Sequence, residues 1–196
     1  EPLRGKILHE ILFKDCSHKL SRPEDFYTIS LEVRNKKDLE DGLTQFVAGE
    51  VLEGDNQFLC QQCQKKIDAI KRDCLSELPN HLCFVLKRFE FDFNTFQNVL
   101  VKDYFEIPNV VDLKPFTHAG LSEKTEEEAK SSSTENNRYY LSGVVVYSGS
   151  SINRGFYYSL VKDREDDEMW YKIGQKGKEK FDPKDIPEEA FGGKGR

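Results

Sequence analysis

Apolar and polar positions along the chain predict a mostly β protein with one short helix. Residues 6–13 form an Ile- and Leu-rich run that reads as a strand and ends in the polar turn Lys14-Asp15-Cys16-Ser17-His18. From Phe26 to Val33 the pattern alternates, with Tyr27, Ile29, Leu31 and Val33 on one side, the mark of a single half-buried strand. Asp38 then caps a helix in which Leu39, Leu43, Phe46 and Val47 line one stripe. Gly49 and Gly54-Asp55-Asn56 punctuate the return to Cys60-Gln61-Gln62-Cys63. Residues 65–78 suit either strand or helix, and Pro79-Asn80 ends them. Residues 81–93 follow as one long β run with both faces apolar, as expected at the centre of a sheet. Residues 139–147 and 157–162 read as two further strands around a turn at 148–155, and Trp170-Tyr171-Lys172-Ile173 as another. Residues 121–138 hold almost nothing apolar and read as a disordered insertion. There is no internal repeat.

Composition narrows the function classes. With 196 residues, 37% hydrophobic and 33% charged, the chain suits one sizeable folded core with a charged surface. A net charge of −6 and the lack of a basic, aromatic-interleaved patch argue against nucleic acid as a partner. No apolar run approaches the ~20 residues of a membrane span, so no membrane segment is expected. Glu1 opens the chain without a methionine or a leader-like stretch, as expected of a piece of something longer. Five cysteines argue against a disulfide framework and for a reducing compartment, cytoplasm or nucleus.

Two short-spaced pairs carry the candidate chemistry. Zinc takes four S or N ligands at tetrahedral corners, and pairs on two tight turns supply two corners each. Cys60-x-x-Cys63 is one pair and Cys16-x-His18 the other. The chain between them adds little closure cost, which grows only logarithmically with length. The bland alternatives are a surface turn with two idle thiols at Cys60 and Cys63, and an exposed turn residue at His18. Cys16, His18, Cys60 and Cys63 are therefore expected to hold one structural Zn2+, closed to solvent water and not catalytic. Such sites supply roughly 10–16 kcal/mol of folding free energy in peptides, far more than a thin two-stranded extension gains by burial. His9, His81 and His118 read as ordinary strand or loop histidines, and Cys74 and Cys83 as buried, inert thiols.

At this point a family pattern is visible. Glu50-Val51-Leu52-Glu53-Gly54 ahead of the Cys60/Cys63 knuckle, Lys71-Arg72 with Cys74, Leu78-Pro79, Leu86-Lys87-Arg88-Phe89, Tyr104-Phe105-Glu106-Ile107-Pro108, and residues 140–149 followed by Gly155 and Tyr157-Tyr158-Ser159 resemble the ubiquitin-specific proteases, most closely the fat-facets-type branch. The similarity runs over residues 5–182. It implies an α+β, papain-like fold of thumb, palm and fingers, here a mostly antiparallel β palm with a zinc-braced β fingers extension and no thumb. The implied division is fingers with an adjoining palm strand and helix over 1–78, palm strands over 79–120, the insertion over 121–138, and palm with a degenerate His box over 139–196. The family's nucleophile is a Cys in a Gly/Asn-rich box upstream of Glu1, and none of the five cysteines has that context. Its base lies in a Gly-His-Tyr triplet, which here is Gly155-Phe156-Tyr157, and a phenyl ring moves no proton. Its orienting Asn or Asp follows the Trp170 strand, where Gly174 stands. No residue of this chain is therefore expected to be catalytic.

The resemblance implies a non-catalytic module that binds ubiquitin, a ubiquitinated protein or another partner, with the remainder of its own longer chain as a further partner. The rival reading is part of an active cysteine-type deubiquitinase whose nucleophile lies in the thumb. A zinc-ribbon nucleic-acid binder is the third, and the acidic charge counts against it.

Overall fold

A computed structural model describes residues 1–122 and 137–193. Antiparallel strands dominate. β1 (Gly5–Phe13), β2 (Lys19–Phe26), β4 (Glu50–Leu52) and β7 (Ala69–Glu77) form a sheet in the order β2-β1-β7-β4. β3 (Ile29–Glu32) pairs with β8 (Phe84–Lys87), and β5 (Phe58–Cys60) with β6 (Lys65–Ile67). β9 (Phe89–Asp92) pairs with β10 (Gln97–Leu100), and β11 (Val110–Asp112) with β12 (Arg138–Tyr140). β13 (Gly143–Ser151), β14 (Arg154–Lys162), β15 (Trp170–Gly174) and β16 (Gly177–Phe181) follow one another in a second four-stranded sheet. The helices α1 (Leu39–Ala48), α2 (His118–Ser122) and α3 (Ile186–Ala190) are short. None of the described helices is long and apolar enough to cross a membrane.

The chain gathers into two compact units, each built from separate stretches. One comprises Glu1–Ile29, Leu43–Val85 and Asp112–Tyr139, the other Ser30–Gly42, Leu86–Val111 and Tyr140–Arg196.

In the first unit β1 lies between β2 and β7, in registers Leu12↔Lys19 and Phe13↔Ala69. The Glu10 carboxylate on β1 is buried. Its Oε2 accepts from Arg72 Nε at 2.9 Å, and His118 Nε2 lies 3.3 Å from Oε1. The Cys74 thiol points at the same carboxylate, 3.6 Å away. His118 thus ties the first residue of α2 to the sheet, and His9 on β1 pairs with Asp73 at 2.7 Å and Glu24 at 3.4 Å. In the second unit Tyr158, Leu160, Trp170, Ile186 and Phe191 form a core that Ile107, Leu141, Val146, Phe181 and Ala190 close. Arg88 is held there by carbonyls, with Nη1 donating to Asp103 O at 2.9 Å and Nη2 to Phe191 O at 3.1 Å.

Asp38 caps α1 as expected, its Oδ1 accepting from Asp41 N at 2.8 Å, while Leu39, Leu43 and Val47 are buried. Other expectations need correction. The single strand over 26–33 is two: β2 ends at Phe26, β3 starts at Ile29, and Tyr27 is exposed between them. β2 itself escapes the pattern because all of it but Phe26 is solvent-facing, as on a sheet edge guarded by charges and Pro23. The long run over 81–93 breaks at Arg88 into β8 and β9, each in a two-stranded ribbon, so Val85, Phe89 and Phe91 are exposed rather than central. Cys83 is exposed, not buried, because it lies just outside β8, whereas Cys74 is buried as expected. The expected turn at 148–155 shrinks to Ile152-Asn153 between β13 and β14, and the strand expected at 139–147 breaks at Leu141-Ser142. The ambiguous segment 65–78 is β6 and β7. Of the disordered insertion, Leu121 and Ser122 close α2 and Arg138 opens β12, and its centre lies outside the described residues.

Candidate functional site

Two hairpin tips of the first unit bring the four expected ligands together. The β1–β2 loop carries Cys16 and His18, and Lys14 N donates to Asp68 O at 2.9 Å, fixing that loop against the link between β6 and β7. The β5–β6 tip carries Cys60 and Cys63. Gln64 N donates to Cys60 O at 2.8 Å, and Gln64 takes a left-handed φ of 55°, which turns the chain sharply after Cys63. Beneath the tips Phe13, Cys60, Ile67 and Ala69 are buried with Phe58 and Leu52 against them, and the Phe13 and Phe58 rings sit 6.1 Å apart.

The donor geometry fits zinc. The ligand atoms of Cys16, His18, Cys60 and Cys63 lie within 4.8 Å of one another. With Zn–S near ~2.3 Å and Zn–N near ~2.05 Å, a tetrahedron has S···S edges of about 3.8 Å and S···N edges of about 3.6 Å. Cys16 Sγ and Cys60 Sγ are 3.9 Å apart, and His18 Nδ1 lies 3.5 Å from Cys60 Sγ and 3.4 Å from Cys63 Sγ. Three sulfurs and one nitrogen could occupy all four corners of a tetrahedral metal ion. Electrostatics point the same way. The backbone N–H of Cys63 holds the Cys60 thiol down to about 7 against the opposing effect of burial. Burial, then the Cys60 and Cys16 sulfurs beside it, push Cys63 up to about 11. A divalent cation held by these sulfurs would favour their thiolate forms.

Phe156 and Gly174, the residues expected at the family's base and orienting positions, lie in the second unit. Side chains alternate along β14 and β15, and the register Ser159↔Ile173 sets Gly174 beside Tyr158. Phe156, Tyr158 and Gly174 therefore share one face on neighbouring strands. Phe156 is 46% exposed, with its ring 6.2 Å from that of Tyr158. A Cβ at Gly174 would meet Tyr158 Cβ at 3.3 Å. The polar groups on this face engage one another: Tyr158 Oη donates to Glu189 on α3, and Lys172 Nζ reaches Glu189 at 3.2 Å and the Tyr158 ring centroid at 4.5 Å. On the opposite face of the sheet Tyr147 pairs with Tyr157, its Oη donating to Ser151 O at 2.7 Å. A Cβ at Gly155 would lie 2.4 Å from that phenol, so glycine is obligatory there. His9, His18, His81 and His118 all belong to the first unit.

Sequence reasoning missed the Glu10, Arg72, Cys74 and His118 cluster. Its signal was Glu10 in the middle of an otherwise Ile- and Leu-rich strand, a charge that needs a partner once buried. It missed Arg88 as well, whose partners are carbonyls and leave no trace in the pattern of residue types.

Comparison with known proteins agrees with the geometry. The family model described as ubiquitin carboxyl-terminal hydrolase matches residues 8–190. "Probable ubiquitin carboxyl-terminal hydrolase FAF" of Drosophila melanogaster is 33% identical over 202 residues, 97% of this chain and 7% of that protein. Ubiquitin carboxyl-terminal hydrolase 24 of Homo sapiens is 34% identical over 216 residues, 98% of this chain and 8% of that protein. Among solved structures, a chain of the SAGA Ubp8/Sgf11/Sus1/Sgf73 DUB module bound to ubiquitin aldehyde superposes with a TM-score of 0.79 at 26% identity, covering 97% of this chain and 40% of that one. The chain thus spans less than a tenth of these curated relatives and two fifths of the solved chain. Its mostly antiparallel sheets and few short helices are those of a ubiquitin-specific protease fold, and the chain belongs to the ubiquitin carboxyl-terminal hydrolase family.

Proposed function

We propose that these residues form a zinc-stabilised, non-catalytic module that binds ubiquitin or a ubiquitinated protein in a reducing compartment, the cytoplasm or nucleus. One observation supports the non-catalytic reading: Phe156 and Gly174, which the resemblance sets at the family's base and orienting positions, share a face on adjoining strands, and neither a phenyl ring nor a glycine takes or gives a proton. A compact quartet of three thiols and one imidazole supports zinc as the brace of the β5–β6 extension. Ubiquitin as partner is favoured by the likeness to a module solved with ubiquitin aldehyde.

The rival reading is that a longer protein carrying these residues cleaves ubiquitin conjugates with a nucleophile outside them, which the hydrolase names of the relatives favour. Two measurements decide. Ubiquitin titrated into the zinc-loaded chain, followed by amide NMR, is expected to shift a contiguous set of residues. A longer protein containing the chain, exposed to ubiquitin with a C-terminal electrophile, is expected to form no covalent adduct, because capture needs a competent thiolate. An adduct on any of its cysteines refutes the non-catalytic reading. The absence of any ubiquitin-dependent shift refutes the binding reading.

A further inference from the structure

The three thiols of the quartet differ in their access to solvent. Cys60 is 1% exposed, whereas Cys16 and Cys63 are partly open. A small oxidant therefore reaches the Cys16 sulfur more readily than the Cys60 sulfur beside it, 3.9 Å away. A disulfide holds its sulfurs about 2.05 Å apart, so this pair must close by about 2 Å, within reach of side-chain rotation at a turn. Cys16 stands on such a turn, since residues 14–18 lie between β1 and β2 and belong to neither strand. Neither Cys74, whose thiol points at Glu10, nor the exposed Cys83 belongs to the quartet.

Topology separates the pairings. Cys60 and Cys63 share one hairpin tip, and a bond between them would leave the two tips unlinked. A bond from Cys16 to Cys60 crosses from the β1–β2 loop to β5, between residues 44 apart in sequence, a span that restricts the unfolded chain. It joins the same two tips that a metal ion on the quartet would join. It also withdraws two of the four donors, and Cys63 with His18 are too few to hold a tetrahedral ion. Metal and disulfide are therefore alternative braces for one structure. In reducing compartments disulfides are in the main transient, catalytic or redox-sensing.

We propose that the quartet is a peroxide-responsive brace, in which a Cys16–Cys60 disulfide replaces the metal and keeps the two tips joined. The proposal rests on the reading of the quartet as a zinc site. Hydrogen peroxide is the oxidant. The Cys16 sulfur attacks one peroxide oxygen, the O–O bond breaks, and the hydroxide that leaves takes a proton to become water. Cys16 is then a sulfenic acid. The Cys60 sulfur attacks it, the S–S bond forms as the S–O bond breaks, and a second hydroxide leaves as water. The two sulfurs lose two electrons and the peroxide gains them. Where both sulfurs start as thiolates, the two protons come from solvent.

The zinc content of the purified chain, measured first by elemental analysis, tests the metal reading by itself. The zinc-loaded chain is then treated with hydrogen peroxide beside a chromogenic zinc chelator. One zinc per chain is expected to be released, with the loss of two hydrogens relative to the reduced metal-free chain and a Cys16–Cys60 linkage in the peptide map. The β5–β6 amides of the oxidised, metal-free protein are expected to exchange roughly tenfold or more slowly than those of the reduced, metal-free protein. A dithiol reductant with added zinc should restore the starting state. Cys83→Ser, at an exposed position outside the quartet, is expected to leave release and linkage unchanged. Zinc kept in the presence of peroxide, a linkage at Cys63 or Cys83 instead, or β5–β6 exchange as fast as in the reduced metal-free chain overturns this proposal alone. A chain that binds no zinc refutes the metal reading and this proposal with it.

Discussion

Chelating the metal should melt the β5–β6 extension selectively. Fixing about ten residues over 58–67 costs on the order of 10–15 kcal/mol of conformational entropy. The contacts beneath them are few. Ile67 and Phe13 each contribute roughly 1.5–3 kcal/mol by burial, and the two strands are three residues long, too short to stand alone. A deficit on the order of 5–10 kcal/mol remains, and a structural zinc supplies about 10–16 kcal/mol at neutral pH. Elemental analysis of the purified chain is expected to give one zinc per chain. Hydrogen exchange after treatment with a strong chelator should then show rapid exchange of Gln64 N–H, which donates to Cys60 O at 2.8 Å, and of the β5–β6 amides. Protection at Tyr158 and Leu160, deep in a separate core, should persist. Unchanged protection over 58–67 in metal-free protein would refute the reasoning, as would Cys63→Ser protein with the same zinc content and stability.

Glu10→Ala leaves the Arg72 guanidinium without its buried partner and is expected to destabilise the chain by about 3–5 kcal/mol in urea unfolding, against little loss for truncating the exposed Glu24. Burial and the Glu10 carboxylate push the Cys74 thiol up to about 12, so the folded state keeps its proton where the unfolded chain releases it. That stability is complete below the ordinary thiol value of ~8.5 and falls as pH rises toward 12. Cys74→Val should therefore flatten the decline in unfolding free energy between about pH 8.5 and 10, and an unaltered decline would count against the buried thiol.

The legible parts of the sequence were those where one face meets core or where two residues share a ligand. β1 and α1 announce themselves through apolar spacing, and the metal quartet through paired spacings on turns. The edge strand β2 is mostly polar and buries only Phe26, so no alternation marks residues 19–26 as a strand. Residues 81–93 misled for the opposite reason. Their largely apolar faces suggest burial on both sides, yet in the ribbons the outward members stay in solvent, and Arg88 breaks the run to grasp backbone carbonyls. An apolar run reports a demand for contact, and it does not say whether the contact comes from the same unit.

Placing an imidazole at position 156 and a carboxylate at position 174 tests whether the strands hold these positions as the pair the proposed reading requires. Phe156 and Gly174 are diagonal neighbours on one face, a spacing of about 7–8 Å between backbones that an imidazole and a carboxylate bridge. In Phe156→His alone the imidazole would face Tyr158, with no carboxylate at position 174 to orient it. Adding Gly174→Asp places a carboxylate against Tyr158, where the new Cβ meets Tyr158 Cβ at 3.3 Å and the two strands must give by a few tenths of an ångström. The charged imidazole gains that carboxylate as a partner, so its titration by NMR should move above the ordinary ~6.5 in the double variant and not in Phe156→His alone. Equal midpoints in the two proteins would mean that the strands no longer hold these positions as a pair. A raised midpoint would show that the strands hold the two positions as a pair, the geometry on which the proposed assignment to the family's base and orienting positions depends.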